Sequence, residues 1–256
     1  SNLSWVRPWT YLPFIPGSCV RSLPDGGTAN KVGLYGQGFD YWRKHIAPLM
    51  SFQKYQIGGS IYGNGDELVE MAEGLNEYDL TALEVNDSCP NSGYVLENVK
   101  TVVANIKRVS KVSRHPLVAK LSVAQNCLAI AEELAGVAQA ISLNSVPWEI
   151  VFPNKKSPLS GVGGTDSGGG VSGKPAQKHN WAMVEALAKQ GAVPVIAPSI
   201  MEFEDIAYTR NVLGARAFSF GAIHLPDRDE VKNAKPVINL CAKEACIAKK
   251  SRQNHC

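Results

Sequence analysis

Apolar, β-branched runs recur along the chain at residues 55–62, 80–86, 116–123, 138–146, 192–200 and 215–225. Each is short and close to continuously apolar, as expected of a parallel strand covered on both faces. Between the runs, residues 65–75, 95–112, 126–136, 181–190 and 203–213 carry apolar side chains at helical spacing. Strand and helix in alternation predict a parallel α/β sheet or barrel.

Two stretches break the rhythm. Residues 147–178 hold Gly161, Gly163, Gly164, Gly168, Gly169, Gly170 and Gly173, and so long an irregular interval is usually functional. The first fifty residues are rich in Pro, Gly and Trp and show no clean βα unit, which leaves a barrel two strands short. Residues 231–251 read as helical with a polar tail.

The length of 256 residues suits one domain spanning 1–256, because α/β barrels occupy roughly 200 to 250 residues as a unit. Hydrophobic residues make up 45% and charged residues 19%, enough for a sizeable core without a disordered tract. A net charge of +3 is too small to argue for nucleic acid, and the basic stretch Lys249-Lys250-Ser251-Arg252 reads as a solvated helix end. No apolar run approaches the roughly 20 residues that span a bilayer, and no secretory signal pattern opens the chain, so a soluble, cytoplasmic protein is expected. Ser1 in place of Met points to a chain that was processed, cut or tagged.

The six cysteines form no C-x-x-C pair and the five histidines no pair at ligand spacing, so no metal or iron–sulfur site is expected. Walker, G-x-S-x-G and H-E-x-x-H motifs are missing too. Candidate chemistry lies instead at strand ends, where a parallel barrel builds its active site. The run ending at Asn86 continues Asp87-Ser88-Cys89-Pro90-Asn91, one thiol between two carboxamides that can donate and accept. Cys89 has the chemistry of a general base once its thiolate is accessible; a buried small hydrophobe is the alternative. Lys120 stands in the apolar run Val118-Ala119-Lys120-Leu121-Ser122, where its ammonium either meets an anion or acceptor or snorkels to water. Ile141-Ser142-Leu143-Asn144-Ser145 repeats the pattern of an apolar strand ending in an amide and a hydroxyl. Gly168 to Gly173 precede a helix and either admit a phosphate to its N-terminus or form a flexible lid.

In this order the pieces resemble the dihydroorotate dehydrogenases, FMN-containing (β/α)8 TIM barrels of pyrimidine biosynthesis, over about residues 28 to 225. Asn30-Lys31-Val32-Gly33-Leu34 looks like the family's N-x-x-G-L, and Glu84 to Asn91 like its E-x-N-x-S-C-P-N signature. Gly169 to Gly173 match G-G-x-S-G. The resemblance implies that Cys89 removes a proton from C5 of dihydroorotate while FMN takes the hydride from C6, giving orotate. It further implies that Asn30, Gly33, Leu34, Asn86, Asn91, Asn144 and Ser145 hold substrate. Asn86, Lys120, Ser145, Gly173, Ser199, Gly221 and Ala222 would contact FMN, with Lys120 steadying charge on the reduced ring. Cysteine at the base position resembles the soluble class rather than the membrane-bound one.

The chain departs from the pattern in two places. Pro198-Ser199-Ile200 replaces G-G-I at the FMN phosphate, and proline has no N–H to donate; Ala222 replaces the threonine after the phosphate glycine. The two strands and K-S pair that precede Asn30 in the family have only about thirty residues here, with Leu3-Ser4 at the pair, so the first strands are expected to be missing or altered. Two other readings follow: a degenerate barrel kept as a binding or scaffolding protein, or a flavin oxidoreductase acting on another pyrimidine. A homodimer is expected if the acceptor is fumarate, and a separate electron-transfer subunit if it is NAD.

Overall fold

The computed structural model describes residues 19–24, 26–32, 38–86, 88, 98–162 and 167–221. Six of the strands are parallel: β3 (Gly58–Ile61), β4 (Ala82–Asn86), β5 (Leu117–Leu121), β6 (Ala140–Leu143), β9 (Val195–Ala197) and β10 (Ala217–Phe218). They lie side by side in the order β3-β4-β5-β6-β9-β10, so the sheet follows the chain without the reversal that marks a doubly wound fold. With helices α1 (Gly65–Leu75), α2 (Val99–Val112), α3 (Cys127–Glu133), α4 (Lys174–Gln190) and α5 (Phe203–Asn211) between them, this is the winding of a (β/α)8 barrel, with six parallel strands found among the described residues.

Local chemistry fixes the helix ends. Asn64 accepts from the N–H groups of Asp66 and Glu67, while Glu67 accepts from the Asn64 N–H, a reciprocal cap that starts α1. Asn98 caps α2 through the Thr101 N–H at 3.1 Å. Helix α4 stops at Gly191, whose φ of 71° is the left-handed geometry of a helix C-terminus.

One face of the sheet packs on the helices. Leu83, Val85, Ala119, Leu121, Ile141 and Ala197 are fully buried there against Leu68, Met71, Val102, Ile106, Ile130 and Val184. The alternate residues, including Ser60, Glu84, Asn86, Val118, Lys120 and Ser142, project from the opposite face, because strand side chains alternate. That face is polar and only partly buried. It is the inside of the barrel.

A second sheet was not foreseen. A hairpin of β1 (Val20–Leu23) and β2 (Gly27–Asn30) pairs with β8 (Gly170–Gly173), which pairs with β7 (Val146–Pro147), all antiparallel. Ala29, Val146, Trp148, Leu159, Val171 and Ala176 form its own small core. Since only two residues separate β6 from β7 and α4 starts directly after β8, this sheet sits at the C-terminal end of the parallel strands. Gly169 makes the seam possible: at φ 83° it is in a conformation that favours glycine, and a Cβ there would come within 2.6 Å of the Asn30 carbonyl. The glycine-rich interval expected to be a loop thus contains a strand. Helix α4 also begins seven residues before position 181, where the apolar period would start it.

Candidate active site

Lys120 and Glu84 meet inside the barrel. The Lys120 Nζ lies 3.1 Å from Glu84 Oε1, and both side chains are about one-quarter exposed. Glu84 is held from either side, its Oε1 accepting from the Ser60 hydroxyl at 3.0 Å and its Oε2 from Ser142 at 2.9 Å. Four neighbouring strands contribute one member each, so regular register alone assembles the group. The lysine that stood out in an apolar strand therefore meets an anion rather than reaching to water.

Beside Lys120 and beyond it toward the strand ends lie neutral donors and acceptors. Asn86 is the register partner of Lys120 on β4 and is buried. The Asn144 Nδ2 reaches Asn86 Oδ1 at 3.5 Å, the Ser88 carbonyl at 3.3 Å and the Ser88 hydroxyl at 3.4 Å. These lengths sit at the far edge of hydrogen bonding, so the amide is shared among acceptors rather than committed to one. The Asn144 Oδ1 is fixed instead by the Ser145 N–H at 2.8 Å. Asn30 enters from the small sheet, donating to the Gly170 carbonyl at 3.3 Å, and Gly170 pairs with Pro147 just after Ser145.

The turn after β9 forms a different kind of wall. Ser199 has φ 62°, one of two non-glycine residues with positive φ among those described. It is held there by α4: Gln177 donates to the Ser199 carbonyl at 3.0 Å, Asn180 reaches the Ser199 hydroxyl at 3.4 Å, and Trp181 donates to the Pro198 carbonyl at 3.0 Å. Asn180 also reaches the Asn144 carbonyl at 3.5 Å, tying the end of β6 to the end of β9. Asp205 accepts from the Met201 and Glu202 N–H groups and from Gln177. Lys174, at the start of α4 beside Gly173, is paired with Glu202. Its hydrogen bond to Glu202, and then the nearby carboxylate charges, raise its pKa against an opposing contribution from burial. Gly221 ends the described chain, and a Cβ there would meet open space.

Structure thus gathers Asn86, Lys120, Asn144, Ser145 and Ser199 around the strand ends, with Asn30 and Gly173 on the adjoining small sheet. Cys89, Asn91, Gly33, Leu34 and Ala222 lie outside the described residues. Glu84, Ser88 and Ser142 stand in motifs the sequence displays but received no role there, and Ser60, Gln177 and Asn180 were not singled out at all. The readable signal was Glu84 itself, a carboxylate on the inward set of a strand next to one with an inward lysine. Of the thiols, Cys127 is buried in α3 with its Sγ donating to the Ser122 carbonyl at 3.1 Å, and burial pushes its pKa up to about 12. Among the described residues no three His, Cys, Asp or Glu gather to hold a metal, and no helix is long and apolar enough to cross a membrane.

The family model for dihydroorotate dehydrogenase matches residues 18–219. The chain is 32% identical over 189 residues to the dihydroorotate dehydrogenase B (NAD(+)) catalytic subunit of Petrotoga mobilis, covering 70% of this chain and 62% of that one. It is 29% identical over 204 residues to a putative dihydroorotate dehydrogenase A (fumarate) of Aeropyrum pernix, covering 77% and 65%. A dihydroorotate dehydrogenase B catalytic subunit of Methanocaldococcus jannaschii is 29% identical over 209 residues, covering 77% and 66%. The matched region spans less than two thirds of the length of the Petrotoga and Aeropyrum relatives.

Proposed function

The chain belongs to the dihydroorotate dehydrogenase family, and on that premise we propose that it oxidises dihydroorotate to orotate with FMN as cofactor. The observation that carries the reading is the grouping at the strand ends, with the neutral amide of Asn86 in register beside Lys120, Asn144 reaching Asn86, and Glu84 holding Lys120 from below.

The donor set fits both molecules on its ring side. A planar ring of alternating N–H and C=O groups is matched by carboxamides, which offer a donor and an acceptor each. The loosely shared Asn144 amide can change partner without leaving a strong bond behind. A ring that gathers negative charge is matched by a fixed ammonium in a partly dry site. On the phosphate side the candidates are Ser199, Gly173 and Gly221, with Ala222 following; Pro198 offers no N–H.

FMN supplies the hydride acceptor. The chain's own residues do the rest: Cys89 takes the proton from C5, and Asn30, Asn86, Asn91 and Asn144 orient the substrate ring and carboxylate, with Gly33, Leu34 and Ser145 as further substrate contacts. Lys120, held by Glu84, places positive charge where negative charge develops. In the test, the protein is reconstituted with FMN and mixed anaerobically with dihydroorotate. Bleaching of the flavin absorbance is expected, and its absence in flavin-loaded protein would count against dihydroorotate as substrate. Cys89→Ala should slow the bleaching by several orders of magnitude while FMN stays bound; an unchanged rate removes Cys89 as the base.

Two of the similar proteins are described as catalytic subunits, so the reading extends to a second subunit that carries electrons onward, with a fumarate-using homodimer as the alternative. Pro198 and the left-handed Ser199 favour one competitor, a degenerate barrel kept as a binding or scaffolding protein without turnover. Orotate titrated by calorimetry separates the two, since a scaffold should take up none.

A further inference from the structure

We propose that Glu84 is a positioning residue that sets both the place and the effective charge of Lys120, and through it the redox balance of the bound flavin. The proposal rests on the FMN reading above for its last step and on the hydrogen-bond geometry of the strands for the others.

Glu84 is engaged on both oxygens before Lys120 is counted. Ser142, from two strands away, holds Oε2 at 2.9 Å, and Ser60, from the neighbouring strand on the other side, holds Oε1 at 3.0 Å. Both hydroxyls project from strands in fixed register, so the carboxylate has little freedom left. Lys120 carries its ammonium on a flexible four-carbon stem, and a compact point charge of this kind has no preferred direction of its own. Its 3.1 Å bond to an immobilised carboxylate gives it one. The arrangement runs from β3 through β4 and β5 to β6 on a diagonal, with Ser60 and Glu84 in register at one level and Lys120 and Ser142 in register with Asn86 two residues nearer the strand ends.

Pairing also changes what the ammonium does. A cation next to a carboxylate acts on a third group as a short dipole, weaker than a bare charge and dependent on direction. Glu84 therefore fixes Lys120 and moderates it at once. The two effects separate by substitution. Glu84→Gln keeps the length and one oxygen acceptor but removes the negative charge, unmasking a lysine still roughly in place. Glu84→Ala releases it.

Three measurements on FMN-loaded full-length protein test this: the FMN dissociation constant, the flavin midpoint potential, and the potential in a double-mutant cycle with Lys120→Met. Glu84→Gln should favour reduced over oxidised cofactor about tenfold, which for a two-electron couple raises the potential by about 30 mV. Glu84→Ala should weaken FMN binding and shift the potential less than Glu84→Gln. In the Lys120→Met background Glu84→Gln should shift the potential by much less, because its effect passes through the lysine. An equal shift in both backgrounds, or none in either, overturns the proposal. If the unsubstituted protein takes up no FMN, the cofactor reading fails by itself. The hold on Lys120 is then read in cofactor-free protein from solvent exchange of the Lys120 ammonium protons by NMR, expected to be slow with Glu84 and fast in Glu84→Ala. Equal exchange overturns it there.

Discussion

The strand-end group around Lys120 and the turn around Ser199 lie at the same end of the parallel sheet but are built by different means. At the first, side chains project from regular strands, and register brings Ser60, Glu84, Lys120 and Ser142 together without any unusual backbone. At the second, the backbone itself is forced, with Ser199 at φ 62°, and side chains from α4 and α5 hold the strained turn in place. Chemistry written in side chains tolerates little substitution. A shape written in backbone can be reached by several sequences, provided something grips it.

The contrast can be broken first where it is strongest. Lys120→Met should lower the rate of flavin reduction by dihydroorotate about 10²- to 10³-fold, the usual cost of one charge-stabilising donor, as read by stopped-flow absorbance. A comparable loss from Lys174→Ala would erase the distinction between the two regions. Next come the thiols. With its pKa pushed up to about 12, Cys127 is ionised to only about one part in ten thousand at pH 8, so native protein should label there far more slowly than unfolded protein. The same shift has a sign for stability. The unfolded thiol loses its proton near 9.0 while the folded one keeps it until about 12, so the contribution is intact below pH 9 and drains away as pH rises from 9 toward 12. Thermal unfolding measured across that window in wild type and Cys127→Ala isolates it.

The turn sharpens the comparison on a smaller scale. Asp205→Ala leaves two backbone N–H groups and the Gln177 amide without their common acceptor and should cost about 1–3 kcal/mol in urea unfolding. Ser199→Gly should be nearly neutral, whereas Ser199→Val should cost about 1–2 kcal/mol more, since a β-branched residue fits positive φ poorly. Equal stability of these two variants would mean that the grip of α4 does not depend on that backbone geometry. Lys174→Ala should have the least effect on stability, under about 1 kcal/mol, because its pairing with Glu202 is half-exposed and screened.

How much of this could be read from the sequence follows from the same contrast. Parallel strands and the helices behind them were legible because their buried faces are apolar and periodic; residues 65–75 match α1 to the residue. The start of α4 was not. Its first two turns, Lys174 to Trp181, turn Gln177, Asn180 and Trp181 toward the Ser199 turn rather than an oily core, so no apolar period announces them. The small sheet was hidden for a related reason: its strands are at most four residues long and rich in Gly, Ser and Thr. Asn86, Asn144 and Lys120 stood out as polar interruptions of apolar strands. Glu84 interrupts in the same way, and only its register partners reveal what it is for.

Gln177, Asn180 and Trp181 occupy one edge of a single helix and address one turn. Such an arrangement behaves as a key with several teeth. Exchanging any one tooth leaves the others engaged, but adding or removing a residue between Gly173 and Gln177 rotates them relative to the lock by about 100° for each position. Homologues of this chain should therefore vary here by replacement and keep the length from Gly173 to Trp181 constant, even where loops elsewhere grow and shrink.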